Sequence, residues 1–502
     1  MKRVNDILAK ITIEHLWIMT VMVAIFAFVN THPIRPHDFW WHMAIGRDIL
    51  TSGKIPATDL YSYTMPGAPY PSYTMFWLME VVLYSVFRFG GAIAVILLQT
   101  ALITSAYGFI ALGSRRVSGS WRAAAFGTLF AAAMGFGNWN VRPQSVTYLY
   151  GAFLFWAVME YRGAKTKRWL WLSPLVMALW VNSHGSFPIG LVILGCWLAQ
   201  EAWNALRSPQ AGWKSAWNAL RFPLGILLVS SLACLLNPRG LGIIAYLRTM
   251  AGNTAVQNYI LEWMPPNFNS LEGVIFYAGF LSLAVLMAVS PRRPDLFQVL
   301  TFCIFGALGL KYIRGVVWFG LAMAPWVALH LAELLKQTAL ISGAPLPMPR
   351  RKRLNAAFLL VLFLLAFFSL PWFKHLFPFT PQKTGLISIE TPIQATNFLL
   401  EQRLPRNVFH DMAFGSYLIW AAQPAYPVFV DSRVELYPMT IWDDYWKLTI
   451  ADSQWEQLAK QYQIHTLMLE PVKQAKLIAA ADESPAWEKV YQDEQAVIFV
   501  KR

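Results

Sequence analysis

Long apolar runs recur along most of this chain, and that recurrence limits its fold more than any other feature. A helix needs roughly twenty apolar residues to cross the hydrocarbon of a bilayer, and its backbone must be satisfied internally. Eleven spans are expected, at about 14–31, 91–112, 123–138, 145–161, 169–184, 187–203, 222–237, 273–290, 296–310, 315–335 and 354–372. Only 14% of the 502 residues are charged, against about a quarter in soluble proteins. The first run lacks a small-residue cleavage pattern and reads as a retained signal anchor. Cys196, Cys234 and Cys303 all fall inside expected spans, which argues against a disulfide framework.

The net charge of +14 is unevenly distributed. Residues 1–372 carry +17, and the segment from Phe373 onward carries −3. With the N-terminus in the cytoplasm, the inner loops hold twenty Lys and Arg residues and the outer loops hold nine. That asymmetry is the positive-inside pattern of membrane proteins, and it removes nucleic acid as the explanation of the charge. An odd number of spans places the C-terminal segment outside. There, short apolar strands (Asn407–His410, Val428–Val430, Thr466–Leu469, Ala496–Val500) alternate with helical stretches at Ile393–Gln402, Gly415–Ala422 and Ile441–Thr449. The expected architecture is an α-helical polytopic membrane domain, 1–372, followed by a small α/β extracytoplasmic domain, 373–502. Ser342–Pro349 reads as a short linker.

The first outer loop, 32–90, is too polar to cross a bilayer and too rich in chemistry to be a mere connector. Asp38–Leu50 has the spacing of a helix lying in the membrane interface, and Met75–Phe89 forms a second amphipathic helix leading into the next span. Prolines and glycines from Gly53 to Pro71 break the chain between them. The outward-facing carboxylates before residue 373 are Asp38, Asp48, Asp59, Glu80, Glu262 and Glu272.

Asp38 stands at the lip of an apolar, aromatic wall, where partial desolvation makes a carboxylate a better proton acceptor. His42, one turn later, could hydrogen-bond it. Asp38 could equally do no more than cap its helix. Asp48 should face solvent. His37, Asp38 and His42 could hold a divalent cation, although their spacing is not diagnostic of a metal site. At the outer ends of later spans stand Arg142, Asn182 with His184, Asn237 with Arg239, and Lys311 with Arg314. Cations that collect outside, against the general bias, suit a phosphate at the membrane surface. Snorkelling to the interface is the plainer explanation for any one of them. Val430-Asp431-Ser432-Arg433 could bind a ligand, but such a pair is more often a salt bridge or a turn. No glycine-rich Lys-Ser/Thr loop is present, so a nucleotide-driven pump is unsupported.

Several motifs now combine: Asp38-x-x-Trp41-His42-x-x-x-Gly46, Pro56-x-x-Asp59 with Ser62-Tyr63-Thr64, and Trp77-Leu78-x-Glu80. Arg142-Pro143-Gln144, Asn182-x-His184-Gly185, Asn237-Pro238 and Gly415-x-Tyr417-Leu418-Ile419-Trp420 with Asp431-x-Arg433 extend the pattern. Together they resemble the C-type (GT-C) membrane glycosyltransferases. They are similar in particular to the bacterial inner-membrane branch described as dolichyl-phosphate-mannose-protein mannosyltransferase-like. The resemblance implies a polyprenyl-phosphate-linked sugar donor, transfer outside the cytoplasmic membrane, and Asp38 as the first-loop catalytic carboxylate. It implies an acceptor in the cell envelope: a glycan, a lipid or a protein. The sequence departs from the commoner paired-acid form, because His37 and not a second acid precedes Asp38. Two other classes remain open at this point: a transporter or flippase of lipid-linked sugars, and a non-catalytic assembly protein for envelope polysaccharide. A transporter should carry inverted repeats and charged mid-span residues, and the sequence has neither.

Overall fold

The computed structural model describes residues 6, 10–207, 212–252, 261–337, 348–376 and 385–502. Helices occupy every expected span. Among the described residues, seven are long and apolar enough to cross a membrane: Ile13–Thr31, Tyr73–Ser118, Pro188–Leu206, Trp213–Ala233, Leu271–Val289, Ile313–Lys336 and Arg351–Ser369. The other four, Trp121–Gly135, Ser145–Ala164, Ser173–Val181 and Leu296–Lys311, are shorter or less apolar. The chain is a multi-pass membrane protein. Ile313–Lys336 is its centre, with 94% of its apolar stretch inside the protein, against 17% for Leu271–Val289. The linker Ser342–Pro349 lies mostly outside the described residues.

Tyr73–Ser118 is two helices joined at a break. Gly91 adopts φ 61° and ψ −157°, a conformation open essentially to glycine alone, and the break falls between the amphipathic half and the membrane half. The helix Phe39–Ser52 leaves neither of its apolar faces uncovered by protein. Phe39, Trp40 and Met43 pack toward the membrane helices, while Trp41, Ala44, Ile45 and Ile49 join the core of the C-terminal segment. An aromatic helix is buried on both sides when two bodies need covering. Asp48 is not free in solvent either, because it accepts a hydrogen bond from the Tyr61 hydroxyl at 2.6 Å.

The C-terminal segment carries a four-stranded sheet: β1 Val408–His410, β2 Thr466–Leu469, β3 Trp487–Gln492 and β4 Val497–Lys501, in spatial order β1-β2-β4-β3. β1 and β2 are parallel; the other pairings are antiparallel. The edge strand β3 escaped the sequence reading because its adjacent, exposed Glu488 and Lys489 look like a solvated turn. Val428–Val430 is apolar and buried but stays out of the sheet. It pairs instead with the first outer loop: Val428 donates to the Tyr61 carbonyl (2.9 Å) and accepts from Tyr63 (3.1 Å).

Loop and C-terminal segment are locked by a buried charge cluster. Arg433 donates to Asp59 (2.6 Å), to both oxygens of Asp431 (2.6 and 2.8 Å) and to the Tyr73 hydroxyl (2.7 Å). Asp59 also receives the Ser62 hydroxyl at 2.6 Å, and Tyr437 donates to Asp431 at 2.6 Å. Nearly every polar atom is satisfied, which is what buried charge requires. The Asp431–Arg433 pair is therefore a salt bridge, the plainer of its two readings.

Candidate functional site

A cavity of about 440 Å³ opens where the outer turns of the membrane helices meet the first loop and the C-terminal segment. Asp38, His42, Arg142, His184, Glu262 and Arg314 line it. Asp38 and His42 share the start of helix Phe39–Ser52, and the other four come from turns far apart in sequence.

Asp38 occupies the cap position of helix Phe39–Ser52, yet its side chain makes no capping hydrogen bond. It turns instead to Arg142, whose Nε lies 3.1 Å from Oδ2. The expected carboxylate against an apolar wall is thus an ion-paired one. Arg142 reaches in from the turn between Trp121–Gly135 and Ser145–Ala164, and its Nη1 also binds Glu262. The second Glu262 oxygen takes Arg314 Nη2 at 2.6 Å. Burial pushes the Glu262 carboxyl up, but the two guanidiniums outweigh it and hold the pKa down at about 2.

The two histidines are neutral components of the wall. Burial drives His184 down to about 3, helped by the Arg314 charge. Its Nδ1 is fixed within the Ser186 turn, 2.9 Å from that hydroxyl and 3.0 Å from that amide. Burial also holds His42 well below its ordinary value, and Arg142 and His184 add to the effect. His42 Nδ1 lies 2.8 Å from Glu80 Oε1, with the Trp41 ring 3.5 Å away, so the imidazole has one available orientation. Glu80 is completely buried, and its second oxygen has no protein partner. This packing explains the glycine of the first motif: a Cβ on Gly46 would sit 2.2 Å from the Glu80 carbonyl oxygen.

Other residues singled out in the sequence stand elsewhere. Asp59 belongs to the Arg433 cluster. Asn182 accepts from Trp77 Nε1 (2.8 Å) and donates to the Ala178 and Leu236 carbonyls (2.8 and 2.7 Å), tying two outer turns together. Asn237 shapes its own turn through the Arg239 amide and the Cys234 carbonyl. Arg239 donates to the Pro71 carbonyl at 3.2 Å and lies 5.3 Å over the Tyr246 ring, one layer behind the cavity wall. Lys311 ends its helix over Tyr312 and does not line the cavity. The expected convergence of outer-turn cations therefore holds for Arg142 and Arg314 and not for Arg239 or Lys311. Among the described residues no group of three or more His, Cys, Asp or Glu is placed to hold a metal ion.

The sequence places Glu262 among the outward carboxylates without assigning it a role, and it does not single out Glu435. Glu435 lines the cavity and receives the hydroxyls of Tyr70 (2.7 Å) and Ser72 (2.9 Å). For Glu262 a signal existed: it is an outward carboxylate among outer-turn cations.

The sequence matches no family model and no curated protein. Solved structures do match. ArnT from Cupriavidus metallidurans in the apo state aligns over 96% of this chain and 97% of its own, with 14% identity and a TM-score of 0.52. The Archaeoglobus fulgidus oligosaccharyltransferase tethered with an acceptor peptide aligns over 97% of this chain and 74% of its own, with 12% identity and a TM-score of 0.55. The arabinofuranosyltransferase AftD from Mycobacteria aligns over 96% of this chain but only 40% of its own, with 15% identity and a TM-score of 0.54. The chain shares its fold, the GT-C fold, with all three.

Proposed function

We propose that this chain is a membrane glycosyltransferase, moving a sugar from a polyprenyl-phosphate-linked donor to an acceptor outside the bacterial cytoplasmic membrane. The acceptor would be a cell-envelope glycan, lipid or protein. The observation that carries the reading is the cavity itself, where Asp38 pairs with Arg142, and Arg142 and Arg314 converge on Glu262, beside apolar helices. Phosphate departing from an anomeric carbon needs charge stabilisation more than protonation, and paired guanidiniums supply it. Asp38 takes the acceptor hydroxyl proton as that oxygen bonds to the anomeric carbon. The bond to the phosphate oxygen breaks on the opposite face, so the configuration inverts. The electron pair leaves with the phosphate, toward Arg142 and Arg314.

Donor binding tests the reading. Arg142→Gln and Arg314→Gln should each weaken binding of a polyprenyl phosphate by roughly tenfold or more, the worth of one charge-assisted contact. Arg239→Gln, behind the wall, should leave it unchanged. Equal affinity in all four proteins would remove the phosphate from this cavity.

The reading also requires the cavity to face outward. Single cysteines at the exposed positions Ser215 and Ser453, in a cysteine-free background, report this through an impermeant thiol reagent. Ser453→Cys should label in intact spheroplasts and Ser215→Cys only after lysis. The reverse pattern would place the site on the wrong side of the membrane.

A further inference from the structure

The arginines proposed to receive the donor phosphate already hold an anion. Each Glu262 oxygen takes one guanidinium, Oε1 that of Arg142 and Oε2 that of Arg314, as two oxygens of a phosphate would. Arg142 is further engaged by Asp38 at 3.1 Å. Two carboxylates and two guanidiniums leave the cluster with no net charge. All four side chains are less than one-third exposed, so their charges act at reduced dielectric. A phosphate added without any rearrangement would meet two carboxylates at close range.

We infer that Glu262 holds the place of the donor phosphate in the substrate-free site, and that donor binding displaces it and draws Arg142 away from Asp38. The inference rests on the glycosyltransferase reading and adds to it a residue that sets donor affinity. It also gives an order of events: the base is freed only once the leaving group is seated. Glu262 departs by moving, because a carboxyl held at about 2 stays ionised at any working pH. Room exists for the move. Its side chain is 26% exposed and projects from the short turn Leu261–Trp263. Arg35 is the competing destination for the phosphate, since it lines the same cavity and makes no ion pair among the described residues.

The test is a gain in binding, which damage to the fold does not produce. Full-length protein in detergent is titrated with a short-chain polyprenyl phosphate, with inorganic phosphate and with the matching free polyprenol. Glu262→Gln should bind the polyprenyl phosphate roughly ten- to hundredfold tighter than wild type, the worth of one charge-assisted contact no longer contested. It should bind inorganic phosphate more tightly too, and the polyprenol no differently. Glu262→Asp, too short to span both guanidiniums, should fall between. Unchanged or weaker phosphate binding in Glu262→Gln, while wild type binds, would overturn the inference and leave the donor reading standing. An equal gain for polyprenol would also overturn it, as would phosphate binding lost in Arg35→Gln but kept in Arg142→Gln. Absence of phosphate binding in every protein would overturn both.

Discussion

Arg433→Met should destabilise the protein by about 3–5 kcal/mol, the usual cost of removing one partner from a buried ion pair. The Arg433, Asp59 and Asp431 side chains are all completely shielded from solvent. The substitution would leave two buried carboxylates with the Ser62 and Tyr437 hydroxyls as their remaining side-chain hydrogen-bond donors. Methionine fills much of the volume, so the loss reports charge and hydrogen bonding more than packing. Because the cluster joins the first outer loop to the C-terminal segment, the loss should appear as early proteolysis between them as well as a lower melting temperature. Asp59→Asn should be milder, since the amide oxygen can still accept from Arg433 while the Ser62 hydroxyl turns to accept from the amide nitrogen. An effect of Arg433→Met below about 1 kcal/mol, the level of an exposed pair, would mean that the cluster is not what holds the two parts together.

Asp38→Asn should fold, insert and bind donor, yet transfer sugar roughly 10²–10⁴ times more slowly, the usual cost of a missing general base. Asparagine preserves the shape of the side chain and can cap a helix. Capping is already excluded as the role of this group, because the Asp38 side chain makes no capping contact and pairs with Arg142. Asp48→Asn should cost far less, since it weakens one hydrogen bond from Tyr61 outside the cavity. Full activity in Asp38→Asn would remove Asp38 as the base.

The membrane helices were legible because apolar runs of bilayer length have few alternatives, and even the Gly90–Gly91 break was visible as a change of pattern. The proximity of Asp38 to outer-turn cations was legible from topology, which puts all of them on one side. What the sequence hid was pairing across long separations. Asp59 and Arg433 are 374 positions apart, and nothing local distinguishes a carboxylate that binds substrate from one that buries itself on an arginine. Val428 likewise looks like a sheet strand until its partner proves to be the first loop. Arg239 and Lys311 share the outer-turn habit of Arg142, but side-chain direction decides which cations reach the cavity. Glu262 counted only as one outward carboxylate among six, because its meaning lies in the two arginines that flank it in space.

The central claim is that sugar is transferred in this cavity with Asp38 as the base. It is tested most directly by following a labelled polyprenyl-phosphate sugar in inverted and right-side-out membranes that hold wild type or Asp38→Asn at equal levels. The account predicts that wild type moves label from the lipid into an acceptor fraction on the outer side and releases polyprenyl phosphate. Asp38→Asn should retain bound, intact donor. Label that crosses the bilayer still attached to its lipid, equally in both proteins and with no polyprenyl phosphate released, would contradict the account and make the protein a transporter.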